Sequence, residues 1–172
     1  MICSSKIVSW KALKKELKNW QKQGLKIVFT NGCFDILHIG HVRYLEAAKK
    51  CGDKLIVAIN SDYSVRKIKG NQRPIMSEKE RTEIIAALEF VDRVVIFNDP
   101  TPWALIKFLT PDVLVKGADW PEEKIVGKEY ILQKGGEVKT IPLTEGVSTS
   151  NIIERILKGG ECLTARGLVR IK

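Results

Sequence analysis

Five short aliphatic runs set the terms for this chain: LKIVFT at 25–30, KLIVAIN at 54–60, RVVIF at 93–97, DVLVKG at 112–117 and EVKTIPL at 137–143. They read as continuous rather than alternating apolar stretches. A strand that is apolar on both faces must be covered on both faces, as in a parallel sheet packed between helices. The segments between the runs are helical in pattern: 41–51, 77–90, 101–109, 128–136 and 148–160, preceded by an amphipathic helix at about 9–23. Ser77 and Glu80 have capping-box spacing, and Pro102 falls in the first turn of its helix. The expected fold is α/β, an open five-stranded parallel sheet with helices on both faces and right-handed crossovers. At 172 residues a single domain is expected, with a core over 25–158 and a tail over 159–172.

The rest of the composition narrows the class. No apolar run approaches the ~18 residues of a membrane span, and the N-terminus lacks an apolar signal core, so a cytoplasmic location is expected. Cys3, Cys33, Cys51 and Cys162 form no CxxC pair and are expected as free thiols, with no metal site of the protein's own. Cys33 could act as a nucleophile, although a small residue tucked behind a loop is the commoner role. The net charge of +9 suits nucleic acid, anionic surfaces or phosphorylated small molecules. The lysines are spread along the chain and no RNA-binding aromatic signature accompanies them, so neither nucleic acid nor membrane is expected as a partner.

Ligands of open parallel sheets bind at the carboxyl ends of the strands, and the chemistry-bearing motifs all fall there. The first strand is expected to end at Thr30 and a helix to begin near His41, with NGCFDILHIG between them. Both histidines of the chain lie in this turn. Gly32 permits close backbone approach, and Gly40 leaves the helix entrance uncrowded. Helix N-termini favour phosphate, so His38 and His41 can address one anion. In the basic stretch KIKGNQRPIMSEKER (67–81), Lys69 and Arg73 can reach phosphates and Arg81 can point back from a first turn. Lys116, Gly117 and Asp119 close the fourth strand; Asp119 suits a sugar hydroxyl, a loop cation or plain helix capping. In EGVSTSNII (145–153), Gly146 gives backbone freedom, and Ser148 and Thr149 offer hydroxyls and amides to phosphate. Taken alone, that stretch is an ordinary N-cap.

His38-Ile39-Gly40-His41 resembles the HxGH signature of the nucleotidyltransferase superfamily, a Rossmann-like fold that shares its ATP-binding half with class I aminoacyl-tRNA synthetases. There is no room here for tRNA-binding domains. Read with IKGNQRP, LVKGADW, GKEY…GGEV and EGVSTSNII, the chain resembles heptose 1-phosphate adenylyltransferases over roughly residues 8–158. The resemblance implies transfer of AMP from ATP to D-glycero-β-D-manno-heptose 1-phosphate, giving ADP-heptose and pyrophosphate for the lipopolysaccharide inner core. It implies catalytic roles for His38, His41, Lys69 and Arg73. Thr30, Asn31, Gly32, Cys33, Phe34, Gly40, Lys116, Gly117, Glu145, Gly146, Ser148 and Thr149 would bind nucleotide. Asp35, Asn60, Arg81 and Asp119 would bind the sugar phosphate or order the basic residues. Mg²⁺ is expected with ATP, held by phosphate oxygens and water. Many relatives carry a sugar-kinase domain; here a separate heptose kinase is expected to supply substrate, and the superfamily's habit allows a homodimer. Glycerol-3-phosphate cytidylyltransferase is similar in TEGVSTS and ADW, which keeps CTP and a polyol phosphate as the alternative. A non-catalytic nucleotide- or RNA-binding module is the second.

Overall fold

A computed structural model describes residues 5–158, 161–164 and 167–170. Five parallel strands form one sheet: β1 (Ile27–Gly32), β2 (Lys54–Asn60), β3 (Arg93–Phe97), β4 (Val113–Gly117) and β5 (Glu137–Ile141), in the order β3-β2-β1-β4-β5. The order follows from burial. Val28, Phe29, Ile56, Val57, Val113 and Leu114 are fully buried, which only the interior of a doubly covered sheet provides.

One face is covered by α1 (Trp10–Lys22), α5 (Trp103–Leu109) and α6 (Lys128–Gln133). Leu13 and Leu17 of α1 meet Leu105, Ile106 and Leu109 of α5 and Ile131 of α6 in this core. The spacing of Leu13 and Leu17 puts them one helical turn apart on one face. Ser9 starts α1 by accepting the Ala12 amide. The other face is covered by α2 (Ile39–Lys49) and α4 (Glu78–Ala86), through Leu45, Ala48, Ile85 and Ala86. Ser77 and Glu80 form the expected reciprocal capping box at the head of α4.

The boundaries depart from the pattern in informative places. β1 continues past Thr30 to Gly32, because Asn31 and Gly32 pair with Ala58 and Ile59 of β2. α2 begins at Ile39, not near His41, because the His38 side chain serves as its N-cap. The stretch expected as a basic loop from residue 67 is partly helical: α3 spans Asp62–Lys69. Ser61 caps it through the Ser64 amide, and Asp62 sits in its first turn, a start signal that the basic run beyond it obscures. Pro102 stands in the N-cap position of α5 rather than inside its first turn. β5 stops before Pro142, which has no N–H for a ladder. The last described helix is α7 (Thr149–Leu157). Of the tail over 159–172, Glu161–Thr164 (β6) and Gly167–Arg170 (β7) pair antiparallel, and its other residues lie outside the described set.

Candidate active site

At the carboxyl ends of β1 and β4 the chain diverges, toward β2 on one side and β5 on the other. A cavity of about 510 Å³ opens there. The loop leaving β1 shapes its first wall. Phe34 sits at φ 45°, a left-handed conformation unusual for a bulky side chain. Its ring lies against Gly32, where a Cβ would come within 3.0 Å of it. The ring edge also meets His41, with centroids 5.2 Å apart.

The two histidine rings stack, with centroids 3.7 Å apart and planes 20° from parallel. Gly40 is what allows this, since a Cβ there would stand 3.1 Å from the His38 ring. His38 Nδ1 accepts the His41 amide at 3.4 Å, so in the neutral ring its proton resides on Nε2. Burial lowers the His38 pKa. Burial, followed by the neighbouring His38, brings His41 down to about 4. Both rings are therefore neutral at pH 7. His41 Nδ1 is buried with no hydrogen-bond partner, an arrangement that costs free energy unless something else supplies one.

The second wall is basic. Lys69 ends α3, and it and Arg73 line the cavity. Asp35 holds Arg73 through its Nε at 2.6 Å and accepts the amides of Ile75 and Met76. Burial pushes the Asp35 pKa up, but the two amides and the guanidinium outweigh it and hold the carboxyl below the ordinary range. Asp35, a candidate for sugar hydroxyls, lines the cavity with its oxygens already spent on ordering the basic loop.

Four candidates are placed elsewhere: Arg81, Thr30, Glu145 and Gly146. Arg81 is 1% exposed and donates to Met76 O, Cys33 O and Asp62. It is not among the cavity residues; it fastens the loop after β1 to the starts of α3 and α4. Its place in the first turn of α4 was legible, but the acceptors that capture it were not. Thr30 is fully buried with its hydroxyl 2.7 Å from the Tyr44 hydroxyl, and it too lies behind the wall. Asn60 lines the cavity from the end of β2, donating to Ser64 Oγ at 2.9 Å. Cys33 also lines it, and burial raises its thiol pKa. A thiol so disfavoured as thiolate is a poor nucleophile.

From β4 come Lys116, Gly117 and Asp119. Asp119 is in a turn that starts no α-helix, and its Oδ1 folds back to within 2.5 Å of where a Gly117 Cβ would be. Ser148 caps α7 through the Asn151 amide at 3.1 Å, and Ser148 and Thr149 line the cavity. Glu145 and Gly146, in the turn before them, do not. Trp120, Lys124, Thr144 and Tyr44 line it without having been singled out as ligand contacts. Trp120 is half exposed, 51%; its place beside Asp119 in ADW was the available signal. Lys124 comes from a 3-10 turn, Glu122–Lys124, that carries no pattern of its own.

Among the described residues, no group of three or more His, Cys, Asp or Glu is placed to hold a metal ion. No helix among the described residues is long and apolar enough to cross a membrane. The arrangement offers stacked neutral imidazoles, cations on facing walls and the heads of α2 and α7. Such a set suits a polyphosphate.

The comparisons agree with that chemistry. Residues 29–155 match the family model described as cytidylyltransferase-like. The chain is 50% identical over 153 residues to the bifunctional protein HldE of Syntrophotalea carbinolica, covering 89% of this chain and 31% of that protein. It is 53% identical over 136 residues to HldE of Geobacter metallireducens, covering 79% and 28%. The chain thus spans about a third of the length of these curated relatives. A crystal structure of the lipopolysaccharide core biosynthesis protein from Thermoplasma volcanium superposes with a TM-score of 0.58 at 31% identity, covering 70% of this chain and 98% of that one. Pantoate-beta-alanine ligase from Francisella tularensis, at 15% identity and a TM-score of 0.59 over 90% of this chain and 80% of that one, shares the fold.

Proposed function

The chain belongs to the cytidylyltransferase-like family, and we propose that within it the protein is an adenylyltransferase making ADP-heptose and pyrophosphate from ATP and heptose 1-phosphate. The observation that carries this reading is the stacked His38–His41 pair at the head of α2, in a cavity walled by Lys69, Arg73, Lys116 and Lys124. The identity to HldE proteins over 89% of the chain supports the choice of acceptor.

The acceptor phosphate oxygen attacks the α-phosphorus. The bond from that phosphorus to the α–β bridging oxygen breaks, and pyrophosphate leaves with the electron pair. The nucleophile is already an anion, with a second pKa near ~6, so no general base is needed. Of the carboxylates lining the cavity, Asp35 is occupied by Arg73 and two amides, which leaves Asp119 as the one not so engaged among the described residues. Catalysis then consists of positioning and charge stabilisation. His38, bound through Nδ1 to the helix amide, presents Nε2–H. His41, stacked on His38 and lining the same cavity, faces the oxygens that gain charge. Lys69 and Arg73 hold the sugar phosphate, and Ser148 and Thr149 at the head of α7 hold the outer phosphates. Mg²⁺ would enter with ATP, held by phosphate oxygens and water, and would supply charge neutralisation on the departing pyrophosphate.

A pyrophosphate-release assay tests the reading directly. ATP with heptose 1-phosphate should turn over, and CTP with glycerol 3-phosphate should be at least tenfold poorer. The reverse preference would favour the cytidylyltransferase reading, which the family description itself suggests. Salt-sensitive oligonucleotide binding without pyrophosphate release from any pair would point to a non-catalytic module.

A further inference from the structure

We propose that Lys116 and Asn31 together form a receiving corner for a phosphoryl oxygen at the crevice between β1 and β4. The inference rests on the nucleotidyl-transfer reading for the identity of the ligand, and on geometry for the site. β1 and β4 run in register with Phe29 beside Leu114, so Asn31 and Lys116 are the next same-face residues on the two strands, where the strands separate. Both line the cavity. Lys116 Nζ donates to Asn31 Oδ1. That bond fixes the amide with its oxygen toward the lysine and leaves its N–H₂ as what Asn31 can offer a ligand.

Lys116 differs from the other cations of the cavity in its burial. Arg73 is neutralised by Asp35, while Lys69 and Lys124 are exposed. Lys116 is only 9% exposed, yet among the described residues no carboxylate lies within ion-pair distance of it. Its hydrogen-bond partner is a neutral amide, and the Trp120 ring stands 5.9 Å away. A buried ammonium without a counter-charge is costly. Two donors of Lys116 and the Asn31 N–H₂ remain for an acceptor, and a phosphoryl oxygen supplies both the acceptor and the missing charge.

The surroundings fix the pH behaviour. The titratable groups about Lys116 are Asp119 after β4, Cys33 after β1, Tyr44 and the two histidines on α2, and Lys124 across the same cavity. Burial brings the Lys116 amine down to about 8, with Asp119 opposing. In the empty site the lysine therefore loses its proton as pH rises through about 8, and affinity for a phosphoanion falls with it.

The test is Lys116→Met, which keeps the length and removes the charge. The melting temperature should be no lower than wild type, because the free protein loses an uncompensated buried charge. Binding of ATP, heptose 1-phosphate and inorganic pyrophosphate is titrated separately at pH 7 and pH 9. At pH 7 at least one should weaken tenfold or more. Loss confined to ATP and pyrophosphate assigns the corner to the nucleotide; loss confined to the sugar phosphate assigns it to the acceptor. Wild-type affinity for that ligand should fall between pH 7 and 9, and the variant's should not. Unchanged affinity for all three overturns the proposal, as does a lowered melting temperature with binding intact. If wild type binds neither ATP nor heptose 1-phosphate, the functional reading fails, and the pyrophosphate titration still decides this one.

Discussion

The two ends of the sheet are equally rich in charge and treat it oppositely. At the amino-terminal end the carboxylates are used up. Asp92 accepts from Lys49, Lys54 and the Leu55 amide. Asp112 takes the Ile27 amide and Gln21, Asp53 takes the Lys26 amide, and Glu137 pairs with Lys26 and Lys139. These groups finish strand ends that would otherwise leave bare N–H groups. At the carboxyl-terminal end, polar groups are left waiting: His41 Nδ1 has no partner, and Lys116 has no carboxylate. One end is closed for stability and the other is held open at a cost. Two of the carboxylates at the open end, Asp35 and Asp62, serve the protein's own arginines.

Substitutions can break that contrast. The largest effect belongs to the open end: His41→Ala should lower kcat by roughly 10²-fold or more, the loss typical of removing one preorganised donor. Stability should stay within about 1 kcal/mol, because the removed ring has an unsatisfied nitrogen. Near-normal turnover in a folded variant would remove the role given to that ring. Asp92→Ala strikes the closed end. It strands two lysines and the Leu55 amide and should cost about 2 kcal/mol in denaturant unfolding, with kcat of the folded protein unchanged. A large kcat loss in that variant would mean the two ends are energetically coupled. The smallest effect sharpens the picture between them. Ser77→Ala removes the capping box of α4 and should cost about 1 kcal/mol. The head of α4 follows the loop that carries Arg73, so a rise in the KM for heptose 1-phosphate, with the KM for ATP unchanged, would show that this cap also steadies the basic wall.

Much of the molecule could be read along the chain because its signals are local. Four strands declare themselves in buried Val, Ile and Leu runs, whereas β5, expected to be covered on both faces, lies at the sheet edge with no buried residue; Ser9, Ser77 and Ser148 announce helices three residues ahead of the amides they accept. His38, Gly40 and His41 sit within four residues, so their common environment was visible as well. The helix α3 was missed because its cap, Ser61, lies directly after the last residue of β2 and blends into the strand.

Tertiary structure alone decided which charged residues face the cavity. Arg81 and Arg73 are both arginines of one basic stretch, but Arg81 meets three acceptors and turns inward, while Arg73 lines the cavity beside Asp35. Lys116 meets Asn31, 85 positions away, only because β1 and β4 are neighbours. Sequence spacing fixes periodicity and caps, since those depend on residues within a turn of one another. The partner of a long cationic side chain depends on which acceptors folding brings within reach, and no local pattern encodes that.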